Sequence, residues 1–273
     1  MNRISLRAAL FTAAALAALL TSSALPAQEP GSLPETMAPP AAQAATQAAP
    51  AHPANDYWKQ HDAQLLVDFG GLVNYKEADL ALGPPAKGEN RVVFMGDSIT
   101  EAWRFQGAGG YFRGKPYINR GMSGQTTPQM LVRFRQDVIA LKPKVVVILA
   151  GVNDIAGNTG PMTLEQTEDN LASMADLAAA NHIRVVLCSV LPAVDFFWMP
   201  GMAPAGKVVA LNAWIKDYAA RKGYVYVDFH SAMKDECGGL SAALSNDGVH
   251  PLPAGYAIMT PLVEAGIAKA LAR

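Results

Sequence analysis

Ser98 follows the apolar run Val92-Val93-Phe94-Met95 by way of Gly96-Asp97, so a hydroxyl stands where a buried strand would end and a helix begin. A serine in such a place can act as the nucleophile of acyl transfer if a base and an orienting acid reach it. Asp247-Gly248-Val249-His250 offers both, with a carboxylate three residues before an imidazole, close enough for one loop to orient the other. Imidazole can accept a proton near neutral pH and return it to a leaving alcohol. Asp247 would fix its tautomer and stabilise the imidazolium. Two further blocks supply hydrogen-bond donors for a tetrahedral oxyanion. Asn119-Arg120-Gly121-Met122-Ser123-Gly124 carries two glycines that permit a tight turn with inward N–H groups, which makes Gly124 a candidate donor. Gly151-Val152-Asn153-Asp154 puts the neutral amide of Asn153 at the tip of the run 144–150. With the N–H of Ser98 itself, these make three donors aimed at charge that appears only in the transition state.

Each residue taken alone has a plainer reading. Ser98 can cap the helix that begins near Ile99. The glycines can serve only a turn, and Asn153 can be an Asx-turn residue. The coincidence of all these blocks in one chain favours the catalytic reading. Asp97 and Asp154 are expected to accept backbone N–H bonds at helix starts rather than to act as acids. Gly121-Met122-Ser123-Gly124-Gln125 looks like a nucleophile elbow, but that motif needs glycine where Gln125 stands. His52, His61, His182, His230 and His250 show no zinc-ligand spacing, so a metal-free site without cofactor is expected. His230 is the rival base, and it lacks an aspartate at the spacing of Asp247 and His250.

The four blocks around Ser98, Gly124, Asn153 and His250 resemble those of the GDSL or SGNH hydrolases, a family of esterases and lipases, over about residues 90 to 270. Ile99 stands where that family more often has leucine. The resemblance implies a flavodoxin-like three-layer α/β/α sandwich around a five-stranded parallel sheet, and hydrolysis of esters or thioesters. It does not carry the choice of substrate.

The elements that must position these residues alternate as a parallel sheet requires. Strands are predicted near 91–96, 116–119, 144–150, 184–190 and 224–228, and helices near 127–141, 163–181, 205–222 and 253–271. Thr127-Pro128 has the pattern of a cap followed by proline at a helix start. An extra helix is expected from Asp56 to Phe69, with Tyr57 and Trp58 directed to the core. Upstream, Arg3 and Arg7 precede an apolar stretch and small residues up to Ala27, the layout of a secretory signal over 1–27. Residues 28–54 are rich in Ala, Pro and Gln and read as a disordered linker, which leaves 55–273 as one catalytic domain. The expected localisation is periplasmic or secreted, without stable membrane insertion once the signal is removed. The formal net charge is −1, and loss of 1–27 removes two arginines and no acid. Nothing in that balance favours nucleic acid or an anionic membrane.

The segment from Leu191 to Gly206 contains Phe196-Phe197-Trp198, whose rings can wall an acyl or sugar pocket or cover a sheet edge. Phe197, Trp198 and Trp103 are therefore candidate substrate-binding residues, although Trp103 suits packing under its helix better. Short loops elsewhere leave little room for a large lid, which favours small acyl groups. Cys188 and Cys237 are the two cysteines, and free thiols are slightly preferred to a disulfide. The expected activity is that of an exported serine ester hydrolase working through an acyl-enzyme on a small-molecule or carbohydrate ester. Lysophospholipase, thioesterase and sugar O-acyltransferase activities remain open on the same machinery, as does a silent carbohydrate-binding module.

Overall fold

A computed structural model describes residues 55–105 and 112–273. The signal and linker expected over 1–54 lie outside these residues. The five strands are β1 (Val92–Gly96), β2 (Tyr117–Gly121), β3 (Val145–Leu149), β4 (Arg184–Cys188) and β5 (Val225–Val227). All pairings are parallel, in the order β2-β1-β3-β4-β5. Every residue of β1 and β3 is buried, as expected where helices cover both faces of a sheet and the strands read as continuous Val, Ile and Leu.

The helices of the described region are α1 (Asp56–Val67), α2 (Lys76–Leu82), α3 (Ser98–Ala102), α4 (Thr127–Asp137), α5 (Val152–Ala156), α6 (Leu164–Ala180), α7 (Ala205–Lys222), α8 (Phe229–Met233) and α9 (Pro253–Leu271). Helix α6 packs between α4 and α7, with α6 and α7 on β4, and α9 packs on β3, β4 and β5 with α8 beside it. Gly266 shows how closely α9 lies on the strands. A Cβ there would sit 2.6 Å from Val227, with Val186 and Val225 behind it. Burying each such valine is worth about 1.5–3 kcal/mol, so the sheet's central rows carry much of the core.

The predicted strands and long helices are present within a few residues of their expected bounds. Helix α4 begins one residue earlier than its Thr-Pro signal suggests, because Thr126 is the cap and its N–H donates to Gln129 Oε1 at 2.9 Å. Thr127 has another partner, described below. From β1 the chain moves outward to β2, then returns across β1 to continue at β3. That reversal opens a crevice beyond the carboxyl ends of β1 and β3, where ligands bind in open α/β sheets. Ser98 follows β1, Gly124 follows β2 and Asn153 follows β3, so all three emerge at this crevice.

Candidate active site

The local fold around Ser98 explains why its hydroxyl is available. The N-cap of α3 is Asp97, whose Oδ1 accepts the N–H of Ile99 at 2.9 Å. Ser98 is thereby relieved of capping, and its Oγ lies 2.8 Å from His250 Nε2. The backbone fits because two glycines leave space for it. A Cβ on Gly96 would fall 2.1 Å from Thr100 Oγ1, and one on Gly121 would fall 2.2 Å from the Glu101 nitrogen.

His250 Nδ1 lies 2.8 Å from Asp247 Oδ2. Asp247 Oδ1 accepts the N–H groups of Val249 (2.9 Å) and His250 (2.8 Å) and the hydroxyl of Ser245 (3.1 Å). One carboxylate oxygen thus pins the turn while the other faces the imidazole. Burial acts to raise the Asp247 pKa, but the His250 N–H, the imidazole and the Val249 N–H outweigh it and hold the group below its ordinary value. An ionised Asp247 accepts from Nδ1–H, which leaves the Nε2 lone pair directed at Ser98.

Across the crevice, Gly124 takes φ +77, a left-handed conformation that glycine adopts without strain. Asn153 is buried, and its Nδ2 donates to the Gln125 carbonyl at 2.9 Å. An amide nitrogen carries two hydrogens, so this bond fixes the side chain and leaves a second donor. Asn158, which sequence reasoning missed, donates from Nδ2 to the Gly124 carbonyl (3.1 Å) and accepts from Trp198 Nε1 (3.0 Å). Ser98, Gly124, Asn153, Asn158 and His250 line one cavity of about 640 Å³, within the usual range for small-molecule sites.

Four aromatic rings wall this cavity: Tyr57, Trp58, Phe197 and Trp198. Phe197 and Trp198 stand 6.1 and 6.2 Å from the His250 ring. Trp103 does not line it. That residue is 3% exposed, packs against Phe94, Phe112 and Tyr256, and donates from Nε1 to Thr260 Oγ1, so it belongs to the core. Tyr57 departs from expectation the other way. It is 58% exposed on α1 and faces the cavity, while Trp58 beside it is buried and still contributes to the wall. Neighbours on a helix point about 100° apart, so Trp58 turns inward while Tyr57 is left at the cavity's edge.

The two other acids take structural places. Asp154 is buried and accepts both the N–H and the hydroxyl of Thr127, tying α5 to the start of α4; burial pushes its pKa up to about 6. Burial likewise pushes Asp97 up to about 7. A carboxyl raised in the fold favours its protonated form, so its contribution to stability is fully present at low pH and is lost as pH rises towards about 7. Asp97→Asn keeps a helix cap and removes the buried charge. Thermal melts should show the variant matching the parent near pH 4 and exceeding it by roughly 1–4 kcal/mol at pH 8. A parent that is the more stable at pH 8 would contradict this account.

His230 lies on α8, its N–H held by Ser189 Oγ at 2.9 Å, and does not line the cavity. Cys188 and Cys237 are both free, with burial pushing the Cys188 thiol up. Among the described residues no group of three or more His, Cys, Asp or Glu side chains could hold a metal ion.

The sequence profile of the GDSL-like lipase/acylhydrolase family matches residues 94–258. A crystallised GDSL-like lipase of Bacteroides thetaiotaomicron is 45% identical and superimposes with a TM-score of 0.71, covering 74% of this chain and 99% of that one. An acetylxylan esterase of Geobacillus stearothermophilus is 27% identical over 62% of this chain and 90% of its own length, and its crystal structure gives a TM-score of 0.55. Esterase TesA of Pseudomonas aeruginosa is 29% identical over 59% of this chain and 79% of its own.

Proposed function

Because the chain belongs to the GDSL-like lipase/acylhydrolase family and is an ester hydrolase, we propose that it is an exported serine esterase that removes small acyl groups from carbohydrate-linked esters. The observation that carries this reading is the relay from Ser98 Oγ through His250 to Asp247, with 2.8 Å at each step. Ser98 Oγ attacks the ester carbonyl carbon while His250 Nε2 takes the hydroxyl proton. The carbonyl oxygen becomes an anion held by the N–H groups of Ser98 and Gly124 and by the free Asn153 Nδ2 hydrogen. Collapse breaks the carbon–oxygen bond to the alcohol, which leaves with the proton from His250. Water then gives a proton to His250 and attacks the acyl-enzyme, and Ser98 departs with that proton as the carboxylic acid forms. Asp247 stays ionised throughout and keeps the imidazole in register.

Preference for a small acyl group is supported by the aromatic rings that close in on the reacting atoms, and the carbohydrate alcohol by the substrate in the Geobacillus enzyme's name. Export is supported by the signal-like pattern of residues 1–27. No helix of the described residues is long and apolar enough to cross a membrane.

The test is hydrolysis of p-nitrophenyl esters from acetyl to long-chain, alongside acetate release from acetylated xylan. Acetyl should give the highest kcat/KM, and acetate should be freed from the polysaccharide. Rates that climb with chain length would overturn the small-acyl reading, and transfer of the acyl group to an added sugar in preference to water would make the protein an acyltransferase.

A further inference from the structure

A second cavity, of about 480 Å³, adjoins the Ser98 cavity, and Tyr57, Ser123 and Gly124 line both. Its wall is α1. Along that helix Trp58 is buried and His61 and Leu65 are half-buried, so the 58, 61, 65 stripe faces inward at helical spacing. The adjacent stripe, Tyr57, Gln60 and Gln64, has the same spacing and borders the cavity. The amides of Gln60 and Gln64 have no hydrogen-bond partner among the described residues.

The floor is fixed. Gln125 Nε2 donates to the Gly70 carbonyl (3.0 Å) and Gln129 Nε2 to the Phe69 carbonyl (2.8 Å), which ties the segment after α1 to the loop that carries Gly124 and to the first turn of α4. Gly71, at φ +67, permits this approach, since a Cβ there would lie 2.9 Å from Met122 Sδ. Among the described residues no lysine or arginine lines either cavity. Besides the His61 ring and the Asp68 carboxylate, which accepts the N–H groups of Leu72 (2.9 Å) and Val73 (3.1 Å), the chemistry on offer is neutral: amides that can both donate and accept, and a phenol ring at the junction. Such a surface suits hydroxyl groups on rings with an apolar face, and offers nothing to a phosphate or carboxylate.

We infer that the cavity beside α1 is a binding subsite for further sugar units of an acylated oligosaccharide, with Tyr57 as the platform between it and the reacting ester. This rests on the carbohydrate-ester reading above and extends it from a single sugar to a chain. It also gives a positive role to a helix whose exposed stripe is polar and aromatic where a merely packed helix needs neither.

The experiment uses the full-length protein with acetylated xylose and acetylated xylotetraose, and p-nitrophenyl acetate as a short reference. The parent should show kcat/KM about tenfold higher for the tetraose than for the monosaccharide, the equivalent of one or two net hydrogen bonds. The double variant Gln60→Ala, Gln64→Ala should lose most of that gain relative to its rate on p-nitrophenyl acetate, with α1 retained because alanine is the best helix former. Lys59→Ala, exposed on α1 and not lining the cavity, should keep the gain. A parent that deacetylates xylose with no gain on the tetraose overturns the subsite and leaves the proposed function standing, as does a gain that survives in the double variant. Hydrolysis of p-nitrophenyl acetate with no activity on either acetylated sugar overturns both.

Discussion

Ser98→Ala should lower kcat for ester hydrolysis by about 10⁴–10⁶-fold, with KM and Tm close to those of the parent. The loss is large because the hydroxyl supplies the bond-forming atom, and the oxyanion donors that remain can assist only a direct attack by water. His250→Ala should cost about as much, since an undeprotonated serine is a poor nucleophile. The double variant should then be little worse than either single one, because residues that act as a unit do not add. Steady-state kinetics on p-nitrophenyl acetate, with folding checked by circular dichroism, would measure all three. Additive losses, or Ser98→Ala within tenfold of the parent, would show that the Ser98–His250 contact is not the reacting pair.

The second large effect concerns stability. The Arg133 side chain is fully buried and pairs with Asp137, also fully buried, at 3.0 Å. Its other donors reach the carbonyls of Gly96 (3.1 Å) and Arg120 (2.8 Å) and Gln125 Oε1 (2.6 Å). One guanidinium thus joins the ends of β1 and β2 to the loop that carries Gly124. Arg133→Met fills much of the volume but leaves the buried Asp137 without its cationic partner and takes one donor from each of three acceptors. Such a broken pair costs about 3–5 kcal/mol, so Tm should fall by roughly 6–20 °C for a domain of this size. Arg133→Met combined with Asp137→Leu should recover part of the loss, because the uncompensated carboxylate goes with it. Chemical denaturation of the single and double variants would give both numbers, and a single variant within 1 kcal/mol of the parent would contradict this role.

The parts of the site that were legible from sequence share one property. Ser98 and Asn153 directly follow apolar runs, and Asp247 and His250 lie three residues apart, so local pattern alone placed them at strand ends or in one loop. What was not legible depends on distant partners. Tyr57 meets the loop of Gly124, far along the chain, and nothing near residue 57 announces that loop. Trp103 already suits packing better than the pocket by its place in sequence, and Phe94, Phe112 and Tyr256 around it settle it in the core. The five-residue helices α3, α5 and α8 are too short to show a 3.6-residue period, and α2 buries no residue from which a face could be read. Asn158 is one polar residue in a turn-rich stretch, and only its two hydrogen bonds give it a place.

Those two bonds have a consequence for how such an enzyme can diversify. Asn158 fastens the Trp198 ring and the Gly124 carbonyl to one side chain, so the residue that shapes the pocket and the glycine whose N–H is proposed to hold the oxyanion share an anchor. Adaptation to a new acyl group by exchanging Trp198 would release that anchor and trade turnover for selectivity at the same step. Phe197 and Pro200 border the same cavity without that connection, so heritable change in specificity has its least costly route through them, and directed evolution of this protein would do well to begin there.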